Sequence, residues 1–178
     1  MSDEKQENIE FEWIRKFIFC TGEIFMEDNR FASVGAIVLR DNEVLLVRHT
    51  YGRAAGKLLN PSGFIKHGEM PYEALKREIN EETGIEINIQ GLISVRCSVN
   101  NWWLIFLADY MSGEPRSDKT ENNEVLFMPS EQALSHPDVT GATKILIKLA
   151  KEQRVLIPNA EYAEWIEQIL PDGQMMFS

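Results

Sequence analysis

The hydrophobic and polar positions of this chain follow two periods, and together they predict a mixture of strands and helices. Short apolar runs and segments of strict alternation, bounded by turn residues, are typical of strands. We predict strands at residues 32–39, 43–48, 58–65, 85–90, 92–99, 102–110 and 124–128. Because Asp41 and Asn42 are common turn residues, the first two strands are expected to form a hairpin.

Apolar residues at helical spacing predict the helices of the chain. We expect helices at residues 71–83, from Ser130 onwards, at 140–152 and at 160–170. Pro71 suits a first helical turn, Gly84 suits a left-handed helix end, and Ser130 is expected to cap its helix. The apolar stripes are Ala74, Leu75 and Ile79 in the first of these helices and Ile145, Leu146 and Leu149 in the third.

The order of these elements predicts an α+β fold, an α/β/α sandwich built on a mixed β-sheet. Strands and helices do not alternate strictly, so one helix is expected on one face of the sheet and the C-terminal helices on the other. A chain of 178 residues suits one main domain, which we place at residues 31–155. An N-terminal extension, 1–30, would pack on it, and a helical extension would follow at 156–178. Residues 9–20 fit either a helix or a strand.

The helix predicted at 71–83 concentrates acidic side chains near its C-terminal end. Glu78 and Glu82 are four residues apart and share a face, and Glu81 flanks them. These charges repel one another, and the helix dipole disfavours them at this end. A divalent cation would relieve the conflict, and oxygen ligands suit Mg²⁺ or Mn²⁺. Such a charge run standing alone would be interpreted as a solvated surface.

The pattern around these glutamates is more specific than a charge run. Residues 63–85 fill all nine positions of the motif G-x5-E-x7-R-E-U-x-E-E-x-G-U, where U is aliphatic. This is the Nudix box, and the chain resembles Nudix hydrolases. The resemblance implies metal-dependent hydrolysis of a pyrophosphate bond in a nucleoside diphosphate linked to another moiety, such as an NTP, a nucleotide sugar or ADP-ribose. It also implies Mg²⁺ (or Mn²⁺) as cofactor.

The resemblance also implies roles for individual residues. The implied metal ligands are Glu78, Glu81, Glu82, Glu69 and the backbone at Gly63, and the implied catalytic residues are Glu78, Glu81, Arg77, Glu121 and Glu124. Arg77 would orient a carboxylate, and its spacing brings Glu73 and Glu81 within reach. The general base is either a box glutamate or an acid of the loop 116–124. We expect Gly63 to begin the turn that leads into the helix.

Substrate contacts are less well defined. Arg48, Arg53 and Lys57 surround a loop without acidic residues and are candidates for phosphate binding, although a solvated basic loop is an equal interpretation. Trp102 and Trp103 should face opposite sides of a strand. One is expected in the core, and the other would stack on a base or contact another subunit. The positions that mark known substrate classes of the family carry other residues, so the substrate stays open.

Composition narrows the class of partner. A net charge of −10, from 18 basic and 28 acidic residues, argues against binding a nucleic-acid polymer and favours a small nucleotide-type substrate. Cys20 and Cys97 lack metal-ligand spacing, so we expect free thiols and a cytoplasmic protein. No apolar run approaches about 18 residues, so no membrane association is expected. A homodimer is left open.

Two other functions compete with hydrolysis. One is a non-catalytic Nudix-like module that binds a nucleotide, which would be expected to have a damaged box. The other is a Nudix-related isoprenoid isomerase, but Cys97 and the histidines His49, His67 and His136 do not form its expected set convincingly. The intact box ranks the hydrolase first.

Overall fold

A computed structural model of the chain describes residues 31–158, 160 and 175–178, and a mixed sheet forms its centre. The strands within these residues are β1 (Ala32–Arg40), β2 (Glu43–His49), β3 (Leu58–Leu59), β4 (Ser62–Phe64), β5 (Glu86–Cys97), β6 (Trp102–Ser112) and β7 (Asn122–Pro129). The α-helices within them are α1 (Pro71–Thr83), α2 (Ser130–Ser135) and α3 (Gly141–Lys151). The predicted fold class is confirmed.

The sheet combines one parallel pair with antiparallel pairs. Its main order is β3-β2-β1-β6-β5, while β4 pairs with β1 and β7 pairs with β2. Strands β1 and β6 run parallel, and the other pairs are antiparallel. The predicted hairpin of β1 and β2 is present, with Asp41 in its turn at φ 54°. Strand β4 therefore lies beside β1, and a short link from β3 leads into it.

Alternate residues of β1 point to opposite faces of the sheet and nucleate two cores. Val34, Ala36 and Val38 pack with the apolar stripe of α1, all of it buried as predicted. On the other face, Ile37 packs with residues of α2 and α3. The two cores confirm the predicted placement of the helices on opposite faces.

Three details of the predicted elements are wrong. Residues 85–90 and 92–99 form one strand, β5, because register shifts around Gly91 absorb the break and the carbonyl of Leu156 fits against that glycine. Ile145 is 61% exposed, since α3 turns Thr143, Leu146, Ile147 and Ala150 toward the sheet. Ser130 does not cap α2: it is the first helical residue, is buried, and its N–H donates to the carbonyl of Asn42.

The ends of α1 follow the prediction. Pro71 is its first residue, and Gly84 closes it in the left-handed conformation at φ 72°, where a side chain would be strained. The expectations for residues 9–20, for Cys20 and for most of the helix at 160–170 lie outside the described residues. In the described part of the chain, no helix is long and apolar enough to cross a membrane.

The C-terminal residues return to cover the first turn of α1. Ile157 and Ser178 exchange backbone hydrogen bonds of 3.3 and 3.0 Å. This pairing places the ring of Phe177 5.7 Å from that of Tyr72 and 5.9 Å from that of Phe106. Tyr72 belongs to α1 and Phe106 to β6, so the chain end ties the helix to the sheet.

Substituting Phe177→Ala should lower the free energy of unfolding by about 1–3 kcal/mol, because it removes a partly buried ring from two aromatic contacts. The measurement is urea unfolding followed by tryptophan fluorescence. Met176→Ala is the matched control, since Met176 is 43% exposed and its loss should change stability by less than about 0.5 kcal/mol. Equal effects of the two substitutions would contradict the contact.

Candidate functional site

The guanidinium of Arg77 gathers three glutamates at the exposed edge of α1. Its Nε and Nη2 bind the two carboxylate oxygens of Glu69 at 2.7 and 2.8 Å, and its Nη1 binds Glu78 at 2.6 Å and Glu81 at 3.1 Å. These partners raise the pKa of Arg77, and Arg77 in turn lowers the pKa of Glu69. The planar fork therefore fixes the direction of several carboxylates at once.

The predicted contact between Arg77 and Glu73 is absent. Glu73 instead accepts a hydrogen bond of 3.1 Å from the N–H of Met70 at the start of α1. The reason is geometric, since Nη2 is occupied by Glu69 and by the carbonyl of Phe64 at 3.1 Å. The loop before the helix thus supplies Glu69 as a partner of Arg77, in the place where the helical spacing predicted Glu73.

Glu82 is a nearly buried carboxyl group that accepts a backbone hydrogen bond. It is 4% exposed, and the backbone N–H of Ser62 donates to its Oε2 at 3.2 Å. Burial raises its pKa to about 9, and the negative charges of Glu121, Glu78 and Asp118 add to the effect. Burial also raises the pKa of Glu78, with Arg77 opposing the shift. Negative charge is therefore disfavoured at both positions without a counter-ion.

Gly63 brings the sheet backbone against Glu78. It lies within β4, opposite Val34 of β1, and not in a turn as predicted. A Cβ at this position would collide with the carboxylate of Glu78. The absence of a side chain therefore allows the α1 carboxylate to lie directly on the β4 backbone, beside the N–H of Ser62 that binds Glu82.

A loop before β7 closes the other side of Glu82. Asn122 donates from Nδ2 to the carbonyl of Glu82 at 2.9 Å, and Thr50 donates from its N–H to the carbonyl of Glu121 at 3.0 Å. The hydroxyl of Tyr51 lies 3.3 Å from Oε2 of Glu121. Glu121 is therefore brought to the box glutamates, as its contribution to the pKa values of Glu82 and Glu78 also indicates.

Ion pairs engage Glu124 and two of the basic candidates, Arg48 and Lys57. Arg48 binds Glu124 at 2.6 Å and Asp138 at 3.1 Å, and Lys57 lies 3.5 Å from Asp138. Glu124 lies in β7, in agreement with the strand predicted at 124–128, and not in the preceding loop. Asp138, from the segment before α3, engages Arg48 and Lys57 in ion pairs, which leaves Arg53 as the freest of the three basic candidates, and phosphate contact stays a prediction. Arg53 lies exposed in a 3₁₀ turn, Gly52–Ala54.

The two tryptophans face opposite sides, as the strand period predicts. Trp102 is 49% exposed and lies 5.8 Å, centroid to centroid, from Phe31. Trp103 packs against the core on the α3 side, with the guanidinium of Arg96 5.0 Å from its ring. Trp103 is thus the core residue and Trp102 the exposed one.

Comparison with known proteins places this geometry in a family. The NUDIX domain profile matches residues 29–149. The chain belongs to the Nudix family. The solved MutT NUDIX hydrolase of Burkholderia pseudomallei superposes with a TM-score of 0.60 at 26% identity, covering 68% of this chain and 98% of that one.

Curated relatives of this Nudix chain include named hydrolases. It is 33% identical over 122 residues to the NAD-capped RNA hydrolase NudC of Actinobacillus succinogenes, covering 64% of this chain and 46% of the relative. It is 32% identical over 88 residues to the ADP-ribose pyrophosphatase of Methanocaldococcus jannaschii, covering 46% of this chain and 52% of the relative. The chain thus spans about half the length of these two relatives.

The side chains of this Nudix site suit a hard divalent cation in kind. They offer carboxylate oxygens, which Mg²⁺ and Mn²⁺ prefer, and the buried Glu82 and partly buried Glu78 have raised pKa values that a cation would lower. Across the described residues, no three Asp, Glu, His or Cys side chains are gathered as a ready metal site. The ion pairs of Arg77 and the N–H of Ser62 hold these carboxylates in separate directions.

Several residues at the site have no signal in the sequence. Tyr51 and Asn122 belong to no motif, and Asn122 is a buried polar residue at the start of an apolar strand. The donor N–H of Ser62 is a backbone group, so no residue type marks it.

Substituting Glu82→Gln should stabilise the chelator-treated protein at neutral pH. A carboxyl group whose pKa rises from 4.5 to about 9 on folding stabilises the fold most at low pH, and this contribution is lost as pH rises through that window. Between about pH 5 and pH 8, we expect the free energy of unfolding of the wild type to fall by about 4 kcal/mol relative to that of Glu82→Gln. Urea unfolding at each pH in EDTA measures it.

Glu81→Gln is the control for that experiment, because the side chain of Glu81 is 56% exposed. Its stability should follow the wild type at every pH. A Glu82→Gln protein whose stability runs parallel to the wild type from low to neutral pH would show that the buried carboxyl group carries no such penalty.

Proposed function

We propose that this chain catalyses the metal-dependent hydrolysis of a pyrophosphate bond in a nucleoside diphosphate linked to another moiety. The observation that carries the proposal is the placement of the buried Glu82 and the partly buried Glu78 against the β4 backbone at Ser62 and Gly63. A buried excess of acid at the end of a complete Nudix box is difficult to explain as a stabilising feature. The names of the curated relatives support the same reaction class.

Mg²⁺ or Mn²⁺ would be held by the carboxylates of the box. Our proposed ligands are Glu78, Glu81, Glu82, Glu69 and the backbone at Gly63. When bound, the cation would polarise phosphoryl oxygens and lower the pKa of the attacking water. Glu78 and Glu82 lie deepest and are the firmest members of the set, whereas Glu81 is more exposed.

Arg77 orients these carboxylates and is not itself a ligand. Its bonds to Glu69, Glu78 and Glu81 keep three acidic groups at one edge of α1 in the absence of a counter-ion. A planar guanidinium holds such groups in fixed directions at little further cost in side-chain entropy. The arrangement therefore keeps these acidic groups at the site.

Glu121 is our choice for the group that accepts the proton of the attacking water. Its position beside Glu82 and the contacts from Tyr51 and Thr50 support that role. Glu124 is the weaker candidate, because Arg48 already neutralises its charge at 2.6 Å. A base must be near the water that it activates and free to take its proton.

The substrate would be a small nucleotide-type molecule. A net charge of −10 disfavours a polymer that binds through many phosphates. Arg53 and the exposed Trp102 stay the candidate contacts outside the box.

We further propose a main domain at 31–155 with extensions at 1–30 and 156–178, and a cytoplasmic setting, with which the free thiol of Cys97 agrees. A homodimer stays a prediction.

The test is turnover of a substrate panel with Mg²⁺ or Mn²⁺, resolved by phosphorus NMR. The panel holds NTPs, dNTPs, ADP-ribose, nucleotide sugars, dinucleoside polyphosphates and NAD. We expect cleavage within one class, and we expect Glu78→Gln to lower kcat more than about 100-fold, because even groups outside the ligand shell are worth about 10–100-fold.

Glu73→Gln provides the matched control, since Glu73 only accepts a hydrogen bond from Met70 and should keep wild-type turnover. Near-normal activity of Glu78→Gln would overturn the ligand assignment. A protein that binds a panel nucleotide but cleaves none, with either cation, would instead support the non-catalytic binding module.

A further inference from the structure

A buried amide stands two residues before the N–H that binds Glu82. Asn60, in the link between β3 and β4, is 1% exposed. The hydroxyl of Thr143, in the first turn of α3, donates to Asn60 Oδ1 at 3.2 Å, while Asn60 Nδ2 is buried and has no partner. A buried amide donor without an acceptor is destabilising, so its surroundings need an explanation.

The unpartnered amide and the indole nitrogen of Trp103 both border the space above Gly35. A Cβ at Gly35 would lie 2.8 Å from Nε1 of Trp103, 3.1 Å from Nδ2 of Asn60 and 2.9 Å from Cβ of Ser62. Gly35 lies on β1, between the parallel strand β6 and the short strand β4. The missing side chain thus opens the space in which groups from both neighbouring strands approach each other.

The chemistry of these groups selects one orientation of the amide. An indole N–H only donates, an amide nitrogen only donates, and a threonine hydroxyl both donates and accepts. With Oδ1 turned toward Trp103, the indole gains an acceptor, Nδ2 donates to Thr143, and the Thr143 hydroxyl is left to bond that of Thr140, 2.9 Å away. The indole N–H and the amide nitrogen then each have an acceptor.

This contact acts on the site through the backbone. Asn60 precedes Pro61 and Ser62, and Ser62 pairs with Gly35 in the sheet while its N–H donates to Glu82. The N–H of Thr140 also bonds the carbonyl of Leu58, so both the start and the middle of the link are held by α3. A link tied at these points has little freedom to move the peptide of Ser62.

We propose that Asn60 is a positioning residue, bound between Trp103 and Thr143, that fixes the Ser62 peptide against the carboxylate of Glu82. Its effect on catalysis rests on the function proposed above, but the contact itself does not. The alternative is a polar residue that only fills the core, whose loss would lower stability without moving the Ser62 peptide.

The test uses the full chain labelled with ¹⁵N, in EDTA. The indole N–H of Trp103, assigned by its loss in Trp103→Phe, should exchange slowly in the wild type. In Asn60→Ala, both this indole N–H and the Ser62 amide should exchange at least about 10-fold faster. Asn88→Ala is the control, since it removes the same amide from an exposed position of β5. Unchanged exchange at either group would overturn the proposal.

A second arm measures Mn²⁺ binding by electron paramagnetic resonance. Asn60→Ala should weaken binding about 10-fold relative to Asn88→Ala, and kcat should fall while KM changes little. Trp103→Phe keeps an aromatic ring without the indole N–H and should fold. Its Mn²⁺ affinity should also fall, by less than that of Asn60→Ala. Wild-type affinity in both variants would overturn the positioning role. Failure of the wild type to bind Mn²⁺ would refute the proposed function alone, because the exchange arm still decides the contact.

Discussion

The rest of this structure accommodates two carboxylates of α1 that lie against one short strand. Glu78 rests on the backbone of Gly63, and Glu82 accepts the N–H of Ser62. The contact of Glu78 requires that β4 has no side chain at Gly63, and both contacts require that α1 lies directly across the strand. The two-faced β1, which pairs with β4 and packs against α1, is what sets both conditions.

Holding acid in this position costs stability, and the neighbouring groups limit that cost without removing it. Arg77 compensates the outer carboxylates, but its guanidinium makes no contact with Glu82. The loop that carries Glu121 brings a further negative charge toward the same place. A site that a cation would complete explains this excess, because a buried charge that only served the fold would be expected to have a partner of its own.

Local patterns predicted the local features, and tertiary contacts decided the others. The limits of α1 follow from Pro71 and Gly84, and its buried stripe follows from helical period, so both were readable in the sequence. The pairing of Arg48 with Asp138 could not be predicted, because the two residues are 90 positions apart and only the folded chain brings them together. The role of Asn60 depends on a glycine of another strand, and which tryptophan faces the core depends on where β6 lies.

The most direct measurement is the anomalous diffraction of a crystal of this chain soaked in Mn²⁺. The account predicts a peak within ligand distance of the carboxylates of Glu78 and Glu82, beside the backbone of Ser62 and Gly63, with Arg77 still bound to Glu69. A Mn²⁺ peak elsewhere would contradict the account. So would the absence of a peak in crystals of a protein that turns over substrate with Mn²⁺ in solution.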